Sequence, residues 1–250
     1  MYSSHPILKT WKKFDSFPME TLTKAWYLHK GSTKKQRDVT LMKEHRMEFG
    51  NTGNCFDLAL WLLDEFKNDG ITAFPIGSKF HSDEAHVAVV ALDEKGNRYL
   101  CDLGDQWLQP ILVETNNEDY SNQKLKGFFP AAEIQVQSRD QNFIEILYHR
   151  PNGKVSNQLF DLTPIERNVF LQGAEYSQNH VYPKPLFECR IPYKNETAHW
   201  EFFDWESFLS TSEGLHKGDQ THSIEHWVNM INEKSGYQKE FLSEALSKYR

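Results

Sequence analysis

Between Asn54 and Leu103 the chain changes its apolar period once, at Gly70. Phe56, Leu58, Ala59, Leu60, Leu62, Leu63 and Phe66 recur at three-to-four spacing, the face of a buried helix, until Asn68-Asp69-Gly70 stops the run. The turn-rich lead-in Gly50-Asn51-Thr52-Gly53-Asn54 puts Cys55 at the start of that helix. Beyond Gly70 the rhythm is that of strands. Ile71 to Ile76, His86 to Leu92 and Arg98 to Leu103 are short runs rich in β-branched and aromatic residues, and Asp93-Glu94-Lys95-Gly96-Asn97 joins the last two as a hairpin. Further strands are expected at Pro110 to Val113, Asn142 to His149, Lys154 to Leu162, Leu186 to Tyr193 and His199 to Phe203, with Pro151-Asn152-Gly153 as a second hairpin turn.

These signals give an α+β fold: a helical N-terminal region with short interruptions such as Lys30-Gly31-Ser32-Thr33, a central β-barrel or curved antiparallel sheet, and a C-terminal α/β portion. The expected divisions are 1–75, carrying the cysteine, 76–185, and 186–250. Thr163-Pro164-Ile165-Glu166 reads as a helix start with Thr163 as cap, two helices are expected over Ser223 to Glu233 and Lys239 to Lys248, and Glu114 to Gly127 as a mobile loop. With 250 residues, 39% of them hydrophobic and 25% charged, the chain can bury a large core. A net charge of −7 gives no electrostatic case for nucleic acid or an anionic membrane. No apolar stretch approaches the ~20 residues that span a bilayer, and residues 1–17 contain no apolar secretory core. Cys55, Cys101 and Cys189 are therefore expected as reduced thiols in a cytoplasmic protein.

A thiol at a helix start is chemically suggestive, because unpaired N–H groups and the helix dipole favour the thiolate. Free cysteines are also among the most buried residues, so Cys55 needs a base before position counts. His86 opens a strand after the polar loop Ser82-Asp83-Glu84-Ala85, which lets its ring project from a sheet edge. Asp102 lies near the end of the next strand between Cys101 and Leu103, where a carboxylate requires a partner. A turn centred near Lys95 and Gly96 brings His86 and Asp102 within about a residue of facing one another. Cys55 as nucleophile, His86 as general base and Asp102 as the acid that orients it make an acyl-transfer site. Backbone N–H groups at the start of the Cys55 helix, with one from the loop before His86, would stabilise the oxyanion.

Nucleophile on a helix start and partners on two adjacent strands is the order of the papain-like and transglutaminase-like cysteine enzymes. More closely, Asn54-Cys55-Phe56-Asp57, Ala85-His86-Val87-Ala88-Val89-Val90 and Arg98-Tyr99-Leu100-Cys101-Asp102-Leu103-Gly104 resemble the core of the arylamine N-acetyltransferase family. There the nucleophile lies in a pattern like Arg-Gly-Gly-Xaa-Cys-Phe-Glu, and the aspartate is followed by Val-Gly-Phe-Gly. Tyr182-Pro183-Lys184-Pro185-Leu186-Phe187 is similar to the family's Ser-Pro-Xaa-Ser-Xaa-Phe stretch without its serines. The resemblance implies ping-pong transfer of an acetyl or other short acyl group from acyl-CoA as cosubstrate to a small-molecule amine, through a thioester on Cys55 and without a metal. The sequence departs from the pattern where Asn51 and Thr52 replace the arginine and one glycine, and where Asp105 replaces an aromatic residue. Asp105 brings negative charge that suits a cationic or polar acceptor, and Trp107, directly after the aspartate strand, is read with it as a pocket residue.

Other features have plainer readings. His222-Ser223-Ile224-Glu225-His226 has the form of an inverted zinc-protease motif, but only 24 residues follow His226, so a solvated helical face is expected. Trp200, Phe202, Phe203, Trp205 and Phe208 read as core. Lys12-Lys13 and Lys34-Lys35-Gln36-Arg37 read as solvated turns. No glycine-rich phosphate loop is present, and Lys79, Lys124 and Lys126 point only weakly to a phosphate patch. The competing functions are a thiol hydrolase or transglutaminase-like enzyme with the same triad, and a catalytically silent binding module of the same fold.

Overall fold

The computed structural model describes residues 1–30, 33–82 and 84–250. The interruption read at Lys30–Thr33 and the polar loop before His86 run through Gly31, Ser32 and Asp83, which lie outside the described residues.

The N-terminal part contains helices α1 (His5–Trp11), α2 (Leu22–Leu28), α3 (Val39–Phe49) and α4 (Cys55–Asn68), with a two-residue strand β1 (Met19–Glu20) before α2. The best specified of these is α4. Asn54 caps it, its side chain accepting from Phe56 N at 3.1 Å and Asp57 N at 3.2 Å, while Asp57 Oδ2 accepts from Asn54 N at 3.3 Å. Its predicted apolar face is buried: Phe56, Leu62 and Phe66 have no exposed surface, and each contributes about 1.5–3 kcal/mol by leaving water.

That face lies on the first sheet, ordered β2 (Ala73–Ser78), β3 (His86–Leu92), β4 (Arg98–Cys101) and β5 (Ile111–Leu112), all antiparallel. A second antiparallel sheet runs β6 (Leu125–Phe129), β7 (Ala132–Ser138), β8 (Phe143–His149) and β9 (Val155–Asp161). After α5 (Arg167–Asn179) come β10 (Leu186–Tyr193), β11 (Glu196–Phe203), β12 (Glu206–Thr211) and β13 (Gly214–Gln220), then α6 (Ile224–Ser235) and α7 (Lys239–Ser247). The third sheet is ordered β1-β10-β11-β12-β13. Of the barrel and the sheet, the structure has sheets: three open antiparallel ones, none closed among the described residues.

Two cores result. One joins α1, α4 and the first two sheets, and the other joins α2, the third sheet, α6 and α7. Trp200, Phe202 and Trp205 belong to the second, as the core reading expected, whereas Phe203 and Phe208, facing the other way along their strands, are half-buried and outside it. Among the described residues no helix is long and apolar enough to cross a membrane.

Differences from expectation have local causes. β1 exists through its pairing Met19↔Glu188 and Glu20↔Phe187 and has no signal of its own. β13 is exposed along almost its whole length, so it shows no apolar alternation, and β6 takes the end of the expected loop at Leu125–Gly127. β7 has no counterpart among the expected strands, although Ile134 and Val136 alternate inward. α5 starts at Arg167 with Glu166 as cap, not at Thr163. The Thr163 N–H is donated to Asp161 Oδ1 at 2.9 Å and the Ile165 N–H to Pro75 O at 3.0 Å, so those donors hold a turn instead of opening a helix.

Candidate active site

Cys55 is the first residue of α4, His86 the first of β3, and Asp102 follows the last residue of β4. The β3–β4 register, Val89↔Cys101 through Leu92↔Arg98, continues to set Asp102 opposite Ala88. His86 is therefore its diagonal neighbour, two positions along and on the same face, instead of directly opposite. The diagonal suffices: His86 Nε2 meets Asp102 Oδ2 at 2.7 Å. Asp102 is fully buried, and its other oxygen accepts the Asp105 N–H at 3.0 Å. With Nε2 committed to Asp102, Nδ1 is the ring nitrogen left for proton exchange.

Gly104 closes the group. A Cβ there would lie 2.8 Å from Cys55 Cβ, 3.2 Å from Asp102 Oδ1 and 3.3 Å from His86 Cε1, so a glycine is what lets the three residues meet. Gly53, one position before the Asn54 cap, has φ +143°, and a Cβ on it would overlap the Asp57 carboxylate.

Burial works to lower the His86 pKa, but the charges of Asp102 and Asp105 and the Asp102 hydrogen bond outweigh it and raise it well above the usual value. Burial pushes the Cys55 thiol up, and the nearby His86 draws it back, helped by the Val87 N–H and Lys24. The helix start by itself does not give a depressed thiol here; His86 is what favours the thiolate. Cys101 and Cys189 are free, buried thiols.

The two pocket residues differ. Asp105 Oδ1 stands 3.7 Å from His86 Nδ1 and lines a cavity of about 540 Å³ with Tyr148, Arg150, Glu188, His199 and Glu201. Burial above all raises Asp105 to about 6, against the pull of His86. Trp107 is fully buried and sits behind the wall, edge-on to Phe129 and Tyr148 at 6.0 and 6.2 Å. His86, Asp102 and Asp105 are also the three-donor group close enough to hold a metal ion among the described residues. At the other histidine motif His222 precedes the cap Ser223, so it is off the helix that carries His226.

Sequence reasoning missed what lies beneath the thiol. Arg37, read as a solvated turn residue, is buried: Nη2 reaches Thr52 O at 2.5 Å and Asp57 Oδ2 at 3.2 Å. Asp57 also accepts from Gln36 Nε2 at 2.8 Å and Gln178 Nε2 at 3.1 Å, and Tyr237 Oη accepts the Thr52 N–H at 2.8 Å. Asn51 stands where the resembled pattern has an arginine, and the Arg37 guanidinium, from another segment, holds the lead-in through Thr52 O. The only signal was a charged residue near a helix that buries an aspartate.

No family model matches this sequence, and no curated protein does. Solved structures do. The chain is similar over 100% of its length to 96% of the arylamine N-acetyltransferase of M. tuberculosis, with TM-score 0.73 at 11% identity. It aligns over 99% with 95% of the Mycobacterium marinum enzyme, solved in complex with CoA (TM-score 0.71, 10% identity). The Salmonella typhimurium enzyme is similar over 99% of this chain and 94% of its own (TM-score 0.70, 12% identity). From first helix to last, this chain has the fold of the arylamine N-acetyltransferases.

Proposed function

We propose that this protein is an acyltransferase that moves an acetyl or other short acyl group from acyl-CoA to an amine through a thioester on Cys55. His86 is its general base and Asp102 orients it; the enzyme works in the cytoplasm with its cysteines reduced. The observation that carries this reading is the 2.7 Å contact of His86 with a buried Asp102, packed with Cys55 around Gly104. The arylamine N-acetyltransferase fold supports it, and one neighbour of that fold was solved with CoA. In the first half-reaction the Cys55 thiolate adds to the acyl carbonyl and His86 gives its Nδ1 proton to the departing CoA sulfur. In the second, His86 takes a proton from the attacking amine as the C–S bond breaks.

Intact-mass spectrometry after brief incubation with acetyl-CoA, and separately propionyl-CoA, tests this. The expected result is one acyl adduct that Cys55→Ala abolishes. No adduct, with rapid iodoacetamide labelling of Cys55, would favour a thiol hydrolase; no reaction with either reagent would favour a binding module.

A further inference from the structure

Apart from the turn after β4 that carries both Asp102 and Asp105, the cavity beside Asp105 is lined by elements that contribute nothing to the Cys55–His86–Asp102 group. Asp105 enters it from the turn after β4, Glu188 from β10 and Glu201 from β11. Glu188 and Glu201 are direct partners in the β10–β11 register, and like charges opposite one another on neighbouring strands repel. Glu188 approaches His199 Nε2 at 4.0 Å, beyond hydrogen-bond reach. That ring nitrogen is buried and has no hydrogen-bond partner among the described residues. A buried polar atom without a partner, facing a carboxylate across a gap, calls for a donor between them.

The charges around the cavity agree. Against the three carboxylates stand Arg150, whose guanidinium lies 5.5 Å over the Phe129 ring, and the exposed Lys154 at the rim. His199 is lowered to about 4 by burial and by Arg150 and Arg190, so near neutral pH it adds no positive charge. Burial, with Glu201 and Asp105, raises Glu188 well above the carboxylate range, and burial raises Glu201 against the pull of Arg150. Burial and the neighbouring carboxylates thus favour the protonated form of Glu188, and a bound cation would pull that proton off.

We propose that the acceptor is an aliphatic diamine or polyamine, one nitrogen held by Asp105 beside His86 and a second held between Glu188 and Glu201. This rests on the acyltransferase reading above. The attacking nitrogen arrives as an ammonium, and Asp105 takes one proton and passes it to solvent. The neutral amine adds to the thioester carbonyl and gives a second proton to His86 Nδ1. The C–N bond forms and the C–S bond breaks, leaving the amide and a Cys55 thiolate paired with the imidazolium. An arylamine arrives uncharged and has no use for these carboxylates.

The test starts from enzyme acylated with acetyl-CoA and follows loss of the acetyl mass with 1,4-diaminobutane, butylamine or aniline. Wild type, Glu188→Gln, Glu201→Gln and the double variant are compared. The diamine is expected to discharge wild type with kcat/KM about tenfold above butylamine and aniline. The double variant should still acetylate on Cys55 and lose that preference through KM. Equal or faster discharge by butylamine or aniline, or a preference that survives in the double variant, overturns the proposal. If Cys55 takes no acetyl group, the acyltransferase reading fails separately, and calorimetric titration of 1,4-diaminobutane in two buffers of different ionisation enthalpy then decides the cleft. Binding with proton release, lost in the double variant, upholds it; no binding overturns it.

Discussion

At Gly104 a single methyl group would stand where Cys55, His86 and Asp102 converge. The backbone there needs no left-handed conformation, so Gly104→Ala should fold, with Cys55 and His86 forced apart by a few tenths of an ångström. Acetylation of Cys55 should slow by about a hundredfold, read by a mass-spectrometric time course, and Tm should fall because the clash is with Cys55 Cβ, which cannot swing aside. His86 supplies a pH prediction. Asp102 is the largest of the charges that raise it, so Asp102→Asn should bring the His86 NMR titration midpoint down toward 6.5. The sign for stability follows from a raised folded pKa. The contribution is complete below the unfolded value, about 6.5, and is lost as pH climbs through the higher folded value. Asp102→Asn should flatten that alkaline loss. A titration left unmoved would remove Asp102 from the orienting role.

At the scale of the element, α4 joins stability to the proposed nucleophile because its start is fixed from two sides. Asn54 and Asp57 satisfy backbone donors reciprocally, and a helix start left uncapped would fray beneath the thiol. Asn54→Ala is expected to cost about 1 kcal/mol in urea unfolding and to slow iodoacetamide labelling of Cys55 at neutral pH. Asn54 also donates to Ser177 Oγ on α5 at 3.2 Å, so the cap ties two helices together. The hairpin of β3 and β4 works in the same local way: its turn sets the register, and the register makes Asp102 and His86 diagonal neighbours.

Over the whole molecule the site depends on segments far apart in sequence. Arg37 and Asp57 are both almost fully buried. Removing one partner of such a pair leaves an uncompensated charge, so Arg37→Met should lower the unfolding free energy by about 3–5 kcal/mol, measured by urea denaturation. A loss under 1 kcal/mol would mean the pair holds nothing together. The order of elements around Cys55, His86 and Asp102, the helix α4, the β3–β4 hairpin and the two closing helices were legible in the sequence. Each is encoded within a few residues, by apolar period, a cap or a turn, and such signals act before the chain is compact. Residues 37, 188, 199 and 201 carry no comparable signal. Arg37 reads as one more solvated cation until α4 is packed over it, and Glu188 and Glu201 become partners only when β10 and β11 pair. β1 is a strand only because β10 lies beside it. The sequence by itself determined which residues could do the chemistry, because period and capping are local. The tertiary structure alone decided what surrounds them, because burial and charge are set by neighbours that arrive from elsewhere in the chain.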